Sequence, residues 1–237
     1  AFAKDPLPVK VIQLLVSKLS KDEINEKDGY GNRLLNKAFK RTDDKESKLL
    51  INILLSHPDI DVNMPDNNNN TLLHVAVHLG HIDIVKILLG KHANVNEKNA
   101  AGQTPLDIAF AQNPLPVAVI KLLVSKLSKD QINEKGRGEN MFLHRALSRR
   151  TYEECKTLTN ILVSHPDIDV NVLDNNNNTP LHLAVMYECE EVVKILLDKG
   201  ARLDMKNAAN QTLLELAEDM KNQEIIDLLK DHASKNP

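Results

Sequence analysis

Apolar residues recur along this chain at the three- and four-residue spacing of amphipathic helices, in short runs separated by polar turns. "HIDIVKILLGK" places Ile82, Val85, Leu88 and Leu89 on one helical face. The preceding "TLLHVAVHLG" predicts a shorter helix, capped by Thr71 and stopped at Gly80. "TPLDIAF" and "TPLHLAV" begin in the same way: the threonine caps, and Pro105 or Pro180 takes the first helical position, where a missing N–H leaves no bond unmade. "DPLPV" and "NPLPV" each carry two prolines, which end one helix and let the next restart. "TYEEC" and "TNILVSH" keep the helical pattern. No helix this short can bury its apolar stripe alone, so the elements must stack on neighbours.

Self-comparison shows what those neighbours are. "DPLPVKVIQLLVSKLSKDEINEK" at Asp5 returns as "NPLPVAVIKLLVSKLSKDQINEK" at Asn113, and "ILLSHPDIDVN" at Ile53 returns as "ILVSHPDIDVN" at Ile161. Both pairs lie 108 positions apart, as do Asn99 and Asn207, and roughly 60% of aligned positions are identical, so a multi-repeat block is duplicated. A shorter period runs inside the blocks. Ala1, Ala38, Ala76, Ala109, Ala146, Ala184 and Ala217 are spaced by 37, 38 and 33 residues in rotation. The longer spacings fit loop insertions, about four residues between the helices and about one after them.

A period near 33 that carries T-P-L-H-x-A resembles the ankyrin repeat. "DNNNNTLLHVAVHLGHIDIVKILLGKHANVN" closely resembles the consensus D-x-x-G-x-T-P-L-H-x-A-A followed by G-H and V-x-x-L-L, and "DNNNNTPLHLAVMYECEEVVKILLDKGARLD" is nearly as close. The likeness covers essentially the whole chain. It implies an all-α solenoid of helix–turn–helix units joined by projecting β-hairpin loops. The units fall at 28–65, 66–98, 99–135, 136–173, 174–206 and 207–237, after a partial repeat at 1–27, in one continuous solenoid. Ala1-Phe2-Ala3 aligns with the middle of a first helix, from which we expect a longer parent protein with further repeats upstream.

The tract "DNNNNT" at Asp66 and again at Asp174 could be read as a calcium loop, since Asp66, Asn68 and Asn70 fall on ligand positions 1, 3 and 5. Position 6 is Thr71 instead of glycine and position 12 is Val77 instead of a bidentate glutamate, and the second tract fails at Thr179 and Val185. Aligned to the consensus, Asn69 takes the place of a glycine in a left-handed turn, a conformation that asparagine tolerates. The tract predicts a turn that opens a helix.

Composition narrows the function classes. A net charge of −3 over 237 residues gives no electrostatic reason for nucleic acid or an anionic membrane as partner. Aromatics at 3% with no tryptophan leave no base-stacking platform. No apolar run approaches the roughly 18 to 20 residues of a membrane span. Two cysteines, Cys155 and Cys189, are too few for a disulfide framework and fit a reducing cytoplasm. Neither has a partnered histidine or a C-x-x-C spacing; they are ordinary thiols in a variable turn and at a helix end.

No nucleophile, base and oxyanion donors converge, and there is no phosphate loop or dinucleotide fingerprint, so no enzyme and no cofactor is expected. His74, His78 and His81 have helical spacing suited to a metal, but the second copy carries His182, Met186 and Cys189 there; the expectation is structural histidines and no metal. His57 and His165 fall in inter-repeat loops, and "KRTDDKESK" reads as a solvated loop.

What remains is surface. In ankyrin proteins partners are bound by hairpin tips and the exposed end of the first helix, and the resemblance carries that face onto Tyr30, Asn32, Lys40, Arg41, Asn67, Asn68, Asn70, His78, Leu79 and Gln103. In the second block it falls on Arg137, Asn140, Arg149, Met186 and Tyr187. The copies diverge here: "HLGHI" became "MYECE", whereas "VSKLSKD" and "SHPDIDVN" stayed nearly fixed. Large side chains supply most binding energy, which favours Tyr30, Leu79, Met186 and Tyr187. The expectation is a monomeric, cytoplasmic protein–protein interaction module. Two alternatives stay open: the targeting arm of a larger enzyme or of a secreted effector of an intracellular bacterium, acting in the host cytoplasm, and a structural spacer. The resemblance also implies that Asn63, Asn96 and Asn171 sit where asparaginyl hydroxylases act in some ankyrin proteins.

Overall fold

A computed structural model describes residues 8–28, 33–40, 45–135, 141–149 and 151–235. Fifteen helices and no strand occur among them. The chain forms two compact units, 1–119 and 120–237. The first holds α1 (Val9–Val16), α2 (Lys21–Asn25), α3 (Leu34–Lys40), α4 (Lys45–Leu55), α5 (Leu72–His78), α6 (Ile82–Gly90) and α7 (Pro105–Ala111). Helix α8 (Val117–Val124) runs across the boundary, and the second unit continues with α9 (Lys129–Ile132), α10 (Phe142–Leu147), α11 (Tyr152–Val163), α12 (Pro180–Met186), α13 (Glu190–Asp198), α14 (Leu213–Met220) and α15 (Gln223–Lys235).

In the second unit α10, α12 and α14 stack in one layer and α11, α13 and α15 in another, each inner helix against its outer partner. The first unit repeats the inner layer with α3, α5 and α7, and α4 and α6 back α3 and α5. The periodic alanines explain the close inner stack: Ala76, Ala109, Ala146, Ala184 and Ala217 are fully buried, where any larger side chain would force the helices apart. Val192, Val193 and Leu196 of α13 are equally buried. Each such side chain contributes about 1.5–3 kcal/mol relative to exposure, as an upper bound. Helix α1 differs, leaving Val11, Leu14 and Leu15 exposed.

Caps follow the sequence reading. The Thr179 hydroxyl accepts from the His182 backbone N–H at 3.3 Å, and the Thr179 N–H donates to His182 Nδ1 at 3.2 Å. The same reciprocal box joins Thr104 to Asp107, Thr212 to Glu215, Ser20 to Glu23 and Ser128 to Gln131. Helix α10 lacks it, because Met141 stands at its N-cap.

Two segments that barely changed between the copies lock together. His165 Nε2 lies 3.0 Å from the Leu127 carbonyl oxygen, and its Nδ1 accepts from the Asp167 N–H at 3.2 Å. Asn133 donates through Nδ2 to the Lys129 and Asp167 carbonyls and accepts at Oδ1 from the Asp169 N–H. His57, Leu19 and Asn25 repeat the arrangement in the first unit. These histidines are buried pins holding the "SHPDIDVN" loop to the preceding helix end, which explains the fixed sequence.

Two local expectations are corrected. "KESK" is not loop but the start of α4, while residues 41–44 lie outside the described set. Cys155 is not in a turn: it lies inside α11, buried, because Thr151 caps that helix one turn earlier than the apolar run suggests.

Candidate functional site

The tips are built by a side chain acting as a turn. Asp66 Oδ1 accepts from the N–H groups of Asn68 and Asn70 at 2.8 and 2.9 Å, and its own N–H donates to the Asn70 carbonyl at 2.8 Å. Asp174 makes the same set, and Asn99 and Asn207 make it with amide oxygens. The fourth position turns left-handed every time: Asn69 at φ 56°, Gly102 at 70°, Asn177 at 55° and Asn210 at 61°. That is the reason for asparagine or glycine there. Successive tips are joined by single backbone bonds, Ala100 N–H to the Asn68 carbonyl and Ala208 N–H to the Asn176 carbonyl. The expected β-hairpin loops are thus linked tight turns. One bond per neighbour is too few to register as a strand ladder.

Past the tips, the inner helices end on an exposed rim. Leu79, Met186 and Tyr187 are 36%, 39% and 52% exposed, although nearly every other apolar residue of α5 and α12 is buried. In the first unit Asn70, His78, Leu79 and Gln103 line one open groove of about 490 Å³ together with Ile108 and Gln112. Gln112 closes its end by donating to the Val77 carbonyl at 2.8 Å. In the second unit Met186 ends α12 and Tyr187 follows it; α12 packs against α14, whose last residue Met220 is 37% exposed. Met220 was missed by motif reading; the signal was its position 33 residues after Tyr187, one repeat on.

Other proposed contacts are placed differently. Asn67 and Asn68 are exposed on a tip, whereas Asn70 is tied to Asn99 Nδ2 through its side-chain oxygen. Arg149 is engaged with Glu154 at the start of α11 at 3.3 Å. Tyr30, Asn32, Arg41, Arg137 and Asn140 lie outside the described residues, as does the side chain of Lys40.

Buried His74 has both ring nitrogens occupied. His74 Nδ1 accepts from the Thr71 N–H, and its Nε2 faces the Gln103 carbonyl at 2.9 Å, which sets the Nε2–H tautomer and leaves no lone pair for a metal. Burial lowers the pKa of His74, His144 and His182 below the ordinary 6.5. Burial, then the neighbouring Cys189, pushes the Cys155 thiol up to about 12, far from a reactive thiolate. Burial also raises Cys189. Among the described residues no group of three or more histidine, cysteine or acidic side chains is arranged to hold a metal ion. No helix there is long and apolar enough to cross a membrane.

This geometry of paired short helices, T-x-x-H boxes and Asx-built tips agrees with the family comparison. The ankyrin repeats (3 copies) family model matches residues 4–99, 38–135, 108–207 and 143–237. The chain belongs to the ankyrin-repeat family. Human palmitoyltransferase ZDHHC13 is 31% identical over 202 residues, covering 73% of this chain and 32% of that protein. Alpha-latrotoxin-Lg1a of Latrodectus geometricus is 35% identical over 197 residues, covering 69% of this chain and 14% of the toxin. This ankyrin array therefore spans about a third or less of the relatives it matches. Among solved structures, the ankyrin repeat protein EF0377 superposes with a TM-score of 0.63 at 22% identity, over 83% of this chain and 96% of that one. A chain from the complex of the predatory endopeptidase Bd0816 of Bdellovibrio bacteriovorus with its immunity protein Bd3460 superposes with a TM-score of 0.58 at 25% identity. It covers 87% of this chain and 99% of its own.

Proposed function

We propose that the chain is a non-enzymatic protein-binding module, using the tips and inner-helix ends of each unit as its contact surface. One observation carries this: Leu79 and Tyr187 stand exposed at the same repeat position, with Met186 exposed beside Tyr187, at the ends of helices whose other apolar residues are almost all buried. Stability does not require them there, and aromatic and long aliphatic side chains on a rigid scaffold supply binding energy with little ordering cost. The divergence of these positions between otherwise conserved copies points the same way. The module acts as a monomer in a cytoplasmic compartment, with both cysteines as free thiols.

A second reading is favoured by the length of the relatives: the array is an arm that delivers a larger protein, enzyme or effector, to its target. Affinity capture with the folded chain tests the common core of both readings, against a variant carrying Leu79→Ala, Met186→Ala and Tyr187→Ala. A protein retained by the first and lost by the second supports the assigned face. Equal capture by two folded proteins sinks it and leaves the spacer. A catalytic or secretion segment in the parent reading frame separates arm from stand-alone module.

A further inference from the structure

We infer that the turns after α12 and α14 dock a partner-protein segment that carries lysine or arginine side chains beside apolar ones. This rests on the binding-module reading and specifies its partner.

Met186, Tyr187 and Met220 form an exposed apolar strip on the ends of two packed helices. The strip is edged with carboxylates that the first copy lacks. Gly80, Ala111 and Pro116 are uncharged; their counterparts 108 residues on are Glu188, Asp219 and Glu224. These charges are positioned by neutral donors. Asn222 Nδ2 donates to Glu188 Oε2 at 3.0 Å, which also ties the two turns together, and Gln211 Nε2 donates to Asp219 Oδ2 at 2.8 Å. An amide orients a carboxylate without cancelling its charge. Three lysines of the neighbouring outer helices pair with other carboxylates: Lys156 and Lys194 with Glu191, Lys230 with Glu218. Lys221 is the lysine within the two turns.

Two features show that this edge is held against local preference. Glu190 and Glu224 lie close enough for a hydrogen bond between their carboxyls, which, ahead of their like-charge repulsion, raises the Glu190 pKa, and Lys194 offsets only part of that rise. Glu188 has φ 54° where Gly80 has 70°, so a carboxylate occupies a left-handed position suited to glycine. An acidic rim around an exposed apolar strip fits a segment in which apolar side chains anchor and flanking cations set orientation and approach rate.

The test is selection of a displayed random 12-residue peptide library on the full chain, followed by titration of the enriched peptides. Enriched sequences are expected to combine lysine or arginine with apolar residues and to bind more weakly as salt rises. Tyr187→Ala with Met220→Ala is expected to weaken them at least about tenfold. Glu188→Gln, Asp219→Asn and Glu224→Gln together should flatten the salt dependence. Neutral or acidic winners, unchanged affinity for either variant, or no enrichment overturns the inference. The salt series on the unaltered chain decides the point even if a variant misfolds. Loss of captured protein in the Leu79/Met186/Tyr187 variant, alongside neutral winners, would leave the broader module standing and remove only this partner chemistry.

Discussion

Met141→Thr should stabilise the protein, although it replaces a larger apolar residue. Every other T-x-x-H start here closes a box: Thr179 accepts from the His182 N–H and gives its own N–H to His182 Nδ1. At α10 the cap is Met141, no side chain accepts from the first turn, and His144 Nδ1 has no hydrogen-bond partner among the described residues. His144 is 1% exposed, and its Nε2 faces the Asn178 carbonyl at 3.0 Å, so Nδ1 carries a buried lone pair with nothing to accept from. A threonine at 141 would accept one orphan N–H of the helix and donate its hydroxyl to that lone pair. A cap contributes about 1 kcal/mol, and an unsatisfied buried acceptor costs about 1–3 kcal/mol. Met141 is only half-buried, so its loss offsets part of the gain. The net expectation is about 1–2 kcal/mol of added stability. Urea titration followed by circular dichroism reads it as a higher midpoint at unchanged slope. Amide exchange across Phe142–Leu147 reports whether the gain is local, which guards against units that unfold separately. Thr179→Val, which keeps the shape and removes the hydroxyl, should lose a similar amount. An unchanged or lower midpoint for Met141→Thr with native circular dichroism would refute the reasoning, because the missing box would then carry no energy.

The buried histidines set a pH dependence. Their folded pKa values lie below the ordinary 6.5, so the unfolded chain binds more protons as pH falls below that value; stability is full above about pH 6.5 and declines beneath it. Urea midpoints that stay flat between pH 7 and 5.5 would contradict this. His165→Leu should cost about 2 kcal/mol, since it strands the Leu127 carbonyl and the Asp167 N–H, and Asn133→Ala should loosen the same loop, both visible as faster amide exchange around 166–170. Cys155, with its thiol near 12, should resist a thiol reagent in native buffer and react at once in denaturant; rapid native labelling would show that the α11 packing opens readily. Glu188→Gly should change the urea midpoint little, because relief at a left-handed position offsets the greater freedom of glycine when unfolded and the loss of the exposed bond from Asn222, while it weakens binding of basic peptides.

The repeat period, the helix starts and the left-handed asparagine were all readable from local chemistry. Thr-Pro fixes a helix start through a cap and a fixed φ, and Asn69 marks a left-handed turn because few other side chains tolerate one. Each is decided by neighbours within about four positions, so a single repeat suffices to see it. Stacking was likewise readable, because helices this short cannot bury an apolar stripe alone, and the periodic alanines turn out to be the fully buried positions between neighbouring inner helices. Tertiary structure decided what depends on partners a repeat away. Whether His57 and His165 were loop surface or buried pins turned on carbonyls 38 residues earlier. The exposed Met220 took on meaning beside Tyr187 only once α12 and α14 were seen to pack, and the pairing of Arg149 with Glu154 became visible only in the folded chain. Local sequence sets backbone conformation through sterics and short hydrogen bonds; burial and charge compensation are properties of the stack, which only the folded neighbours supply.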